Sequence, residues 1–232
     1  MTIDTPTIYG GSDSKFFRSF GISFIRSFKH HNPTMDIFYH IMDPKDGDLS
    51  KLEELPCEYS VSYSDKEFLL ECSKNVASKD GYSPLDIVIA QWYRSQRFIE
   101  LSKIWSGKHL VLAYDVDTVA INPIPFETLC QERDQGCLDV KGNQVVSLTA
   151  FRNNSQLLRE WGRELDGKIA AGLFSPGLDQ DVFVSLARNY DVEMIEMIYC
   201  NYSKKNFGFV ITGKGMKKSS GRFETLVREW NH

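Results

Sequence analysis

The chain is 232 residues long, enough for one large α/β domain, and 42% hydrophobic with 25% charged residues and eight prolines, the composition of a globular protein with a core of its own. A net charge of −4 without any Lys/Arg-dense run argues against a duplex nucleic acid partner, and no apolar run approaches the ~20 residues of a membrane span. The five cysteines (Cys57, Cys72, Cys130, Cys137, Cys200) form no CxxC pair, and the start MTIDTPTIYGG lacks a signal-peptide pattern, so reduced thiols in a cytoplasmic protein are predicted.

In chain order, residues 5–9 predict a short strand ending in a Gly10-Gly11 turn. Phe16, Phe17, Phe20, Phe24, Ile25 and Phe28 then recur at helical spacing, with Asp13 placed to cap that helix. Residues 35–42 (MDIFYHIM) read as a second strand stopped by Asp43-Pro44. Residues 43–80 are polar, and only CEYSVSY within them suggests a strand. Ser83-Pro84 followed by Asp86 is a helix start, and that helix runs to the neighbourhood of Gly107. HLVLAY comes next, a continuous apolar run of the kind that makes a fully buried strand.

Beyond Pro125 the expected elements are helices over residues 155–164 and 179–189, strands within 192–198 and 207–212, and a closing helix over 222–230. Strands alternating with helices predict an α/β sheet covered on both faces. Ligands in such sheets gather beyond the carboxyl ends of the strands, where Gly10-Gly11 and residues 115–117 are expected to fall. One domain over 1–232 is expected, with a nucleotide-binding part over about 1–120 and an acceptor-side part over about 121–232.

Asp115-Val116-Asp117 follows HLVLAY directly. Two carboxylates one residue apart at a strand exit can converge on one hard cation, Mg2+ or Mn2+, whose shell is completed by substrate phosphates. Such an ion neutralises a departing diphosphate, which suits transfer from a nucleotide sugar. The same residues, read as DVDTV, also match the signature of haloacid-dehalogenase-type phosphohydrolases, with Asp115 as nucleophile and with Lys168 and Asp179 or Asp181 as downstream partners. The motif's mid-chain position argues against that alternative.

Four further segments carry polar groups suited to a phosphorylated ligand. YGGSDSKFF joins glycines to a helix start. Arg94 and Arg97 share a helical face, and an arginine near a diphosphate can bind it in bidentate fashion. Asp179, Gln180 and Asp181 open an amphipathic helix, where acids are also favoured by the helix dipole. Lys214 lies between Gly213 and Gly215, glycines that would clear space for a phosphate. The five histidines show no metal-ligand spacing.

In this order the segments resemble the retaining glycosyltransferases of family eight, the glycogenin and galactosyltransferase-like enzymes with the GT-A fold. The resemblance covers about residues 5–215 and is weakest over 125–150. It rests on Gly11-Ser12-Asp13 before Phe16-Phe17, on MDIFYHIMDP, on SQRF, on LVLAYDVDTVAINPI and on LDQDVF. It implies a mixed, mostly parallel central sheet flanked by helices. It further implies a donor site of Tyr9, Gly10, Gly11, Ser12, Asp13 and Phe16 around a nucleobase, most often uracil.

By the same resemblance Asp115 and Asp117 would hold the metal, Val116 would lie near the ribose, and Arg97, Gly213 and Lys214 would lie beside the phosphates. Asp179 and Gln180 would line the reaction centre, and a hexose would pass from a UDP-sugar to a glycan or other acceptor with retention of configuration. Two departures stand out. The family's C-terminal metal-binding histidine is replaced by Thr212 or Gly213, and its stacking tyrosine by Phe16, which cannot hydrogen-bond. The missing histidine is the one feature that favours a non-catalytic binding module of the same fold.

Overall fold

The computed structural model describes residues 5–107, 109–201, 208–213 and 221–231. Strand β1 spans Thr7–Asp13 and β2 Asp36–Met42. Between them run a short helix α1, Ser14–Phe16, a π-helical stretch Phe17–Gly21 and helix α2, Ile22–His31. Helix α3 covers Asp48–Glu53, strand β3 Glu58–Ser62, helix α4 Lys66–Ser73 and the long helix α5 Pro84–Ile104. Strand β4, Val111–Tyr114, leads to a short β5, Thr118–Ala120.

A hairpin follows, β6 over Gln135–Val140 and β7 over Asn143–Phe151, then helices α6, Gln156–Ala170, and α7, Leu178–Ala187. The described chain closes with β8, Glu193–Ile195, β9, Val210–Thr212, and helix α8, Gly221–Asn231.

The main sheet has the strand order β3-β2-β1-β4-β7-β6-β8. Pairs β1–β2, β1–β4, β2–β3 and β6–β8 are parallel, whereas β7 runs antiparallel to both β4 and β6. It is therefore a mixed, mostly parallel sheet, as expected. Its central strands bury both faces: Tyr9, Phe38, Val111 and Ala113 enter one core with α5, α6 and α7, and Ile8, Ile37, Tyr39, Leu112 and Tyr114 enter the other with α2. Burial on both sides is why these strands read as continuous apolar runs.

Caps set the helix starts. The Asp13 carboxylate accepts from the Phe16 amide at 2.8 Å, and Ser83 with Asp86 forms a capping box ahead of Pro84. The sheet also corrects the expectation of a turn at Gly10-Gly11, because β1 continues through both glycines to Asp13. Close packing favours both: a β-carbon on Gly10 would lie 2.7 Å from the Phe24 ring, and one on Gly11, 3.1 Å from the His40 carbonyl, would need its neighbours to give by a few tenths of an ångström. Two regions with little expected order are regular, α3 and α4 within 43–80 and the β6–β7 hairpin within 125–151.

Candidate active site

The chain leaves β1 for β2 and β3 on one side, then returns to β4 on the other, so β1 and β4 flank the switch point of the parallel part. Ligand sites of open α/β sheets lie at this place, beyond the carboxyl ends of the strands. Asp13 ends β1 there, and Asp115 follows the last residue of β4.

Arg97, on α5, organises the site. Its guanidinium lies 2.6 Å from the Asp115 carboxylate and 3.8 Å from that of Asp179, which stands in the first turn of α7. Arg97 is 7% and Asp179 3% exposed. Burial works against the arginine's charge, but Asp115 and Asp179 outweigh it and raise its pKa. The same guanidinium sits 4.4 Å from the Phe98 ring centroid. Tyr9 supports the Arg97 backbone by donating its hydroxyl to the Arg97 carbonyl at 2.6 Å. Among the described residues the buried Arg97 Nε has no hydrogen-bond partner, so one donor is left over for a ligand or water.

The exit from β4 is fixed along its backbone. The Asp115 amide donates to the Ser147 carbonyl at 2.9 Å, and the Thr118 hydroxyl donates to the Asp115 carbonyl at 2.7 Å. The Asp117 carbonyl accepts from the Gly213 amide at 2.8 Å. Strand β5, which continues from this exit, pairs with β9, which runs into Gly213. Val116 and Asp117 are buried and Asp115 half-buried.

For a hard divalent cation the sequence-predicted donors are the carboxylates of Asp115 and Asp117, and among the described residues no three His, Cys, Asp or Glu side chains converge. Two carboxylates fit an ion that draws its remaining ligands from phosphate oxygens and water. Position 213 has no room for a third protein ligand, since a β-carbon there would lie 2.2 Å from the Phe223 ring. The glycine expected to clear space for a phosphate therefore clears it for Phe223. Lys214 lies outside the described residues.

The other predicted residues divide in two. Ser12, Asp13 and Phe16 line the end of β1, with the Ser12 hydroxyl 2.6 Å from that of Tyr39. Tyr9 and Gly10 are buried within the sheet. Asp179 joins the Arg97 cluster, whereas the Gln180 amide is engaged on β7. Its oxygen accepts from the Val146 amide at 3.0 Å and its nitrogen donates to the Gln144 carbonyl at 2.8 Å. These bonds fall beside the shift in β6–β7 register near Leu138. Gln91, which sequence reasoning does not single out, holds the start of α7 by accepting from the Gly177 and Leu178 amides, both at 3.1 Å.

Sequence reasoning also misses Tyr93 and Asp43. The Tyr93 hydroxyl donates to Asp43 at 3.0 Å, and Asp43 takes two more bonds from Ser64. Burial, then the Asp43 charge, raises the Tyr93 pKa. The available signal is spacing, since Tyr93 stands one helical turn before Arg97. Lys168, needed by the phosphohydrolase alternative, instead pairs with Glu164 along α6 at 3.4 Å.

No protein-family model and no curated protein sequence matches the chain. Solved structures do. A galactosyltransferase LgtC in complex with donor and acceptor sugar analogs aligns with a TM-score of 0.59 at 12% identity over 96% of this chain and 95% of that one. An active-site mutant of LgtC aligns with a TM-score of 0.58 at 12% identity, again over 96% of this chain and 95% of that one. The apo form of glycosyltransferase GlyE from Streptococcus pneumoniae TIGR4 aligns with a TM-score of 0.52 at 11% identity over 97% of this chain and 63% of that one. Strand order, the mixed sheet and these likenesses together give the chain the GT-A glycosyltransferase fold.

Proposed function

We propose that the chain is a metal-dependent glycosyltransferase that moves a hexose from a UDP-sugar to a glycan or other acceptor, with retention of configuration. The observation that carries this reading is the buried cluster in which Arg97 draws Asp115, from the end of β4, toward Asp179, from the start of α7, at the switch point of the sheet. Asp115 and Asp117 would hold Mn2+ or Mg2+, and when bound the ion would neutralise the charge of the departing diphosphate.

The protein's own groups do the rest. Ser12, Asp13 and Phe16 border the place for the nucleobase, and the Phe16 ring offers a stacking face. Arg97 keeps the Asp115 carboxylate oriented, and its unpartnered Nε can donate to a donor oxygen. Asp179 faces the reacting sugar from a buried position, and Gln180 fixes the wall beside it by holding β7. The half of the chain before about residue 120 carries the donor and the half after it the acceptor. Among the described residues no disulfide links the cysteines, which fits a reducing, cytoplasmic compartment.

Calorimetric titration of UDP and UDP-glucose, with and without manganese, tests the reading on wild type and Asp117→Ala. The expected result is manganese-dependent binding that is lost in the variant. Absence of binding to any nucleotide diphosphate under either condition overturns it.

A further inference from the structure

Strands β5 and β9 and helix α8 share a small apolar cluster of their own. Val119, Ile211, Phe223 and Val227 are buried in it, with Phe20 packed against them. Phe223, near the start of α8, is linked to the candidate site directly at Gly213 and through Phe20 at Phe16. Its ring fills the space above Gly213, whose amide holds the Asp117 carbonyl at 2.8 Å. The ring centroid also lies 6.1 Å from that of Phe20, and Phe20 lies 5.7 Å from Phe16.

We propose that Phe223 is a positioning residue of the donor site. It sets the Phe16 ring, at the nucleobase end, and the Asp117 backbone, at the ion end, relative to each other, which makes α8 part of the site. This rests on the glycosyltransferase reading above, which gives Phe16 and Asp117 their roles. The physical ground is that a ring packed at interior density transmits position, since neither neighbour can shift without opening a void.

Besides the packing of Val227 and Trp230 on that same cluster, the far end of α8 has anchors of its own. Ser23 donates to the Val227 carbonyl at 3.0 Å, Arg26 donates to the Trp230 carbonyl at 3.0 Å, and the Trp230 ring lies 5.0 Å from His30. Trp230, whose ring lies against His30 and His31, therefore probes helix docking, and Phe223 probes ring positioning.

UDP titration at saturating manganese on wild type, Phe223→Leu, Phe223→Ala and Trp230→Ala tests the proposal, with Tm and circular dichroism recorded for each. Phe223→Leu retains apolar volume and is the variant expected to fold as wild type. It should lose about three- to tenfold in UDP affinity, the size of a lost aromatic pair. It should also need more manganese for half-saturation. Trp230→Ala should lower Tm while keeping wild-type UDP affinity. Unchanged affinity in a folded Phe223→Leu, or an equal loss in Trp230→Ala, overturns the proposal while leaving the donor reading intact. A wild type that binds no UDP overturns the donor reading, and this inference with it.

Discussion

The Arg97 guanidinium stands 2.6 Å from the Asp115 carboxylate, so a residue in the second half of α5 holds the first residue beyond β4. The pair is buried on the arginine side and shares its charge with Asp179 at 3.8 Å. A buried arginine between two carboxylates gains from them what it loses in hydration, and removing it leaves the acids uncompensated.

Arg97→Met should accordingly destabilise the fold by about 3–5 kcal/mol in urea unfolding at pH 7. Arg97→Lys should restore only part of this, because an ammonium cannot span both acids with a planar fork. A loss below about 1 kcal/mol in Arg97→Met would show that the cluster is solvated like a surface pair.

His40 gives the fold a pH dependence. Its ring is buried between Ser60 at 2.8 Å and Ser62 at 3.0 Å. Burial, with Lys103 adding to it, lowers its pKa from 6.5 to about 4. The unfolded chain therefore takes up the proton first as the pH falls. Stability is fully present above about pH 6.5 and declines toward pH 4, by roughly 3 kcal/mol in total. Denaturation series between pH 7 and about 4.5 should show this slope in wild type and a shallower one in His40→Gln.

Gly10 and Phe24 should be energetically coupled. Gly10→Ala places a β-carbon 2.7 Å from the Phe24 ring, an overpacking expected to cost about 1–3 kcal/mol. Phe24→Leu alone destabilises by cavity formation, but it gives the new methyl room. A double-mutant cycle should therefore return a favourable coupling of about 1 kcal/mol. Strict additivity would mean that the strand shifts away from α2 instead.

Gln180 should contribute to stability through its two bonds to β7. Gln180→Ala frees the Val146 amide and the Gln144 carbonyl and should cost about 1–2 kcal/mol. Gln180→Glu keeps the acceptor for Val146 but sets a carboxylate against the Gln144 carbonyl. It should be at least as destabilising at pH 7. Hydrogen exchange at the Val146 amide, faster in both variants, locates the effect.

Local rules make the helix starts legible. Asp13 and the Ser83–Asp86 box are placed by short-range hydrogen bonding, which depends only on neighbours in the chain. Residues 43–80 are harder to read because α3 and α4 are short, and brief amphipathic helices gain most of their stability from packing against the rest of the molecule. The β6–β7 hairpin escapes the sequence for a related reason. Its turn, with Lys141 and Gly142 at positive φ, carries no Asn-Gly or Asp-Gly signal, and its inner residues are apolar only where other elements cover them.

That a buried strand leads into Asp115-Val116-Asp117, and that a long capped helix precedes it, is legible in the chain alone. Apolar runs, caps and adjacent carboxylates are one-dimensional features, and they carry their meaning without knowledge of what lies across the sheet. The fold alone sets Gly10 and Gly11 against Phe24 and His40 inside a strand, makes way for Phe223 at Gly213, and commits the Gln180 amide to β7. It also decided that Arg97, on α5, joins Asp115, beyond β4, to Asp179, at the start of α7. Contacts of that kind are set by where folding brings distant segments together, and no local pattern in the chain encodes them.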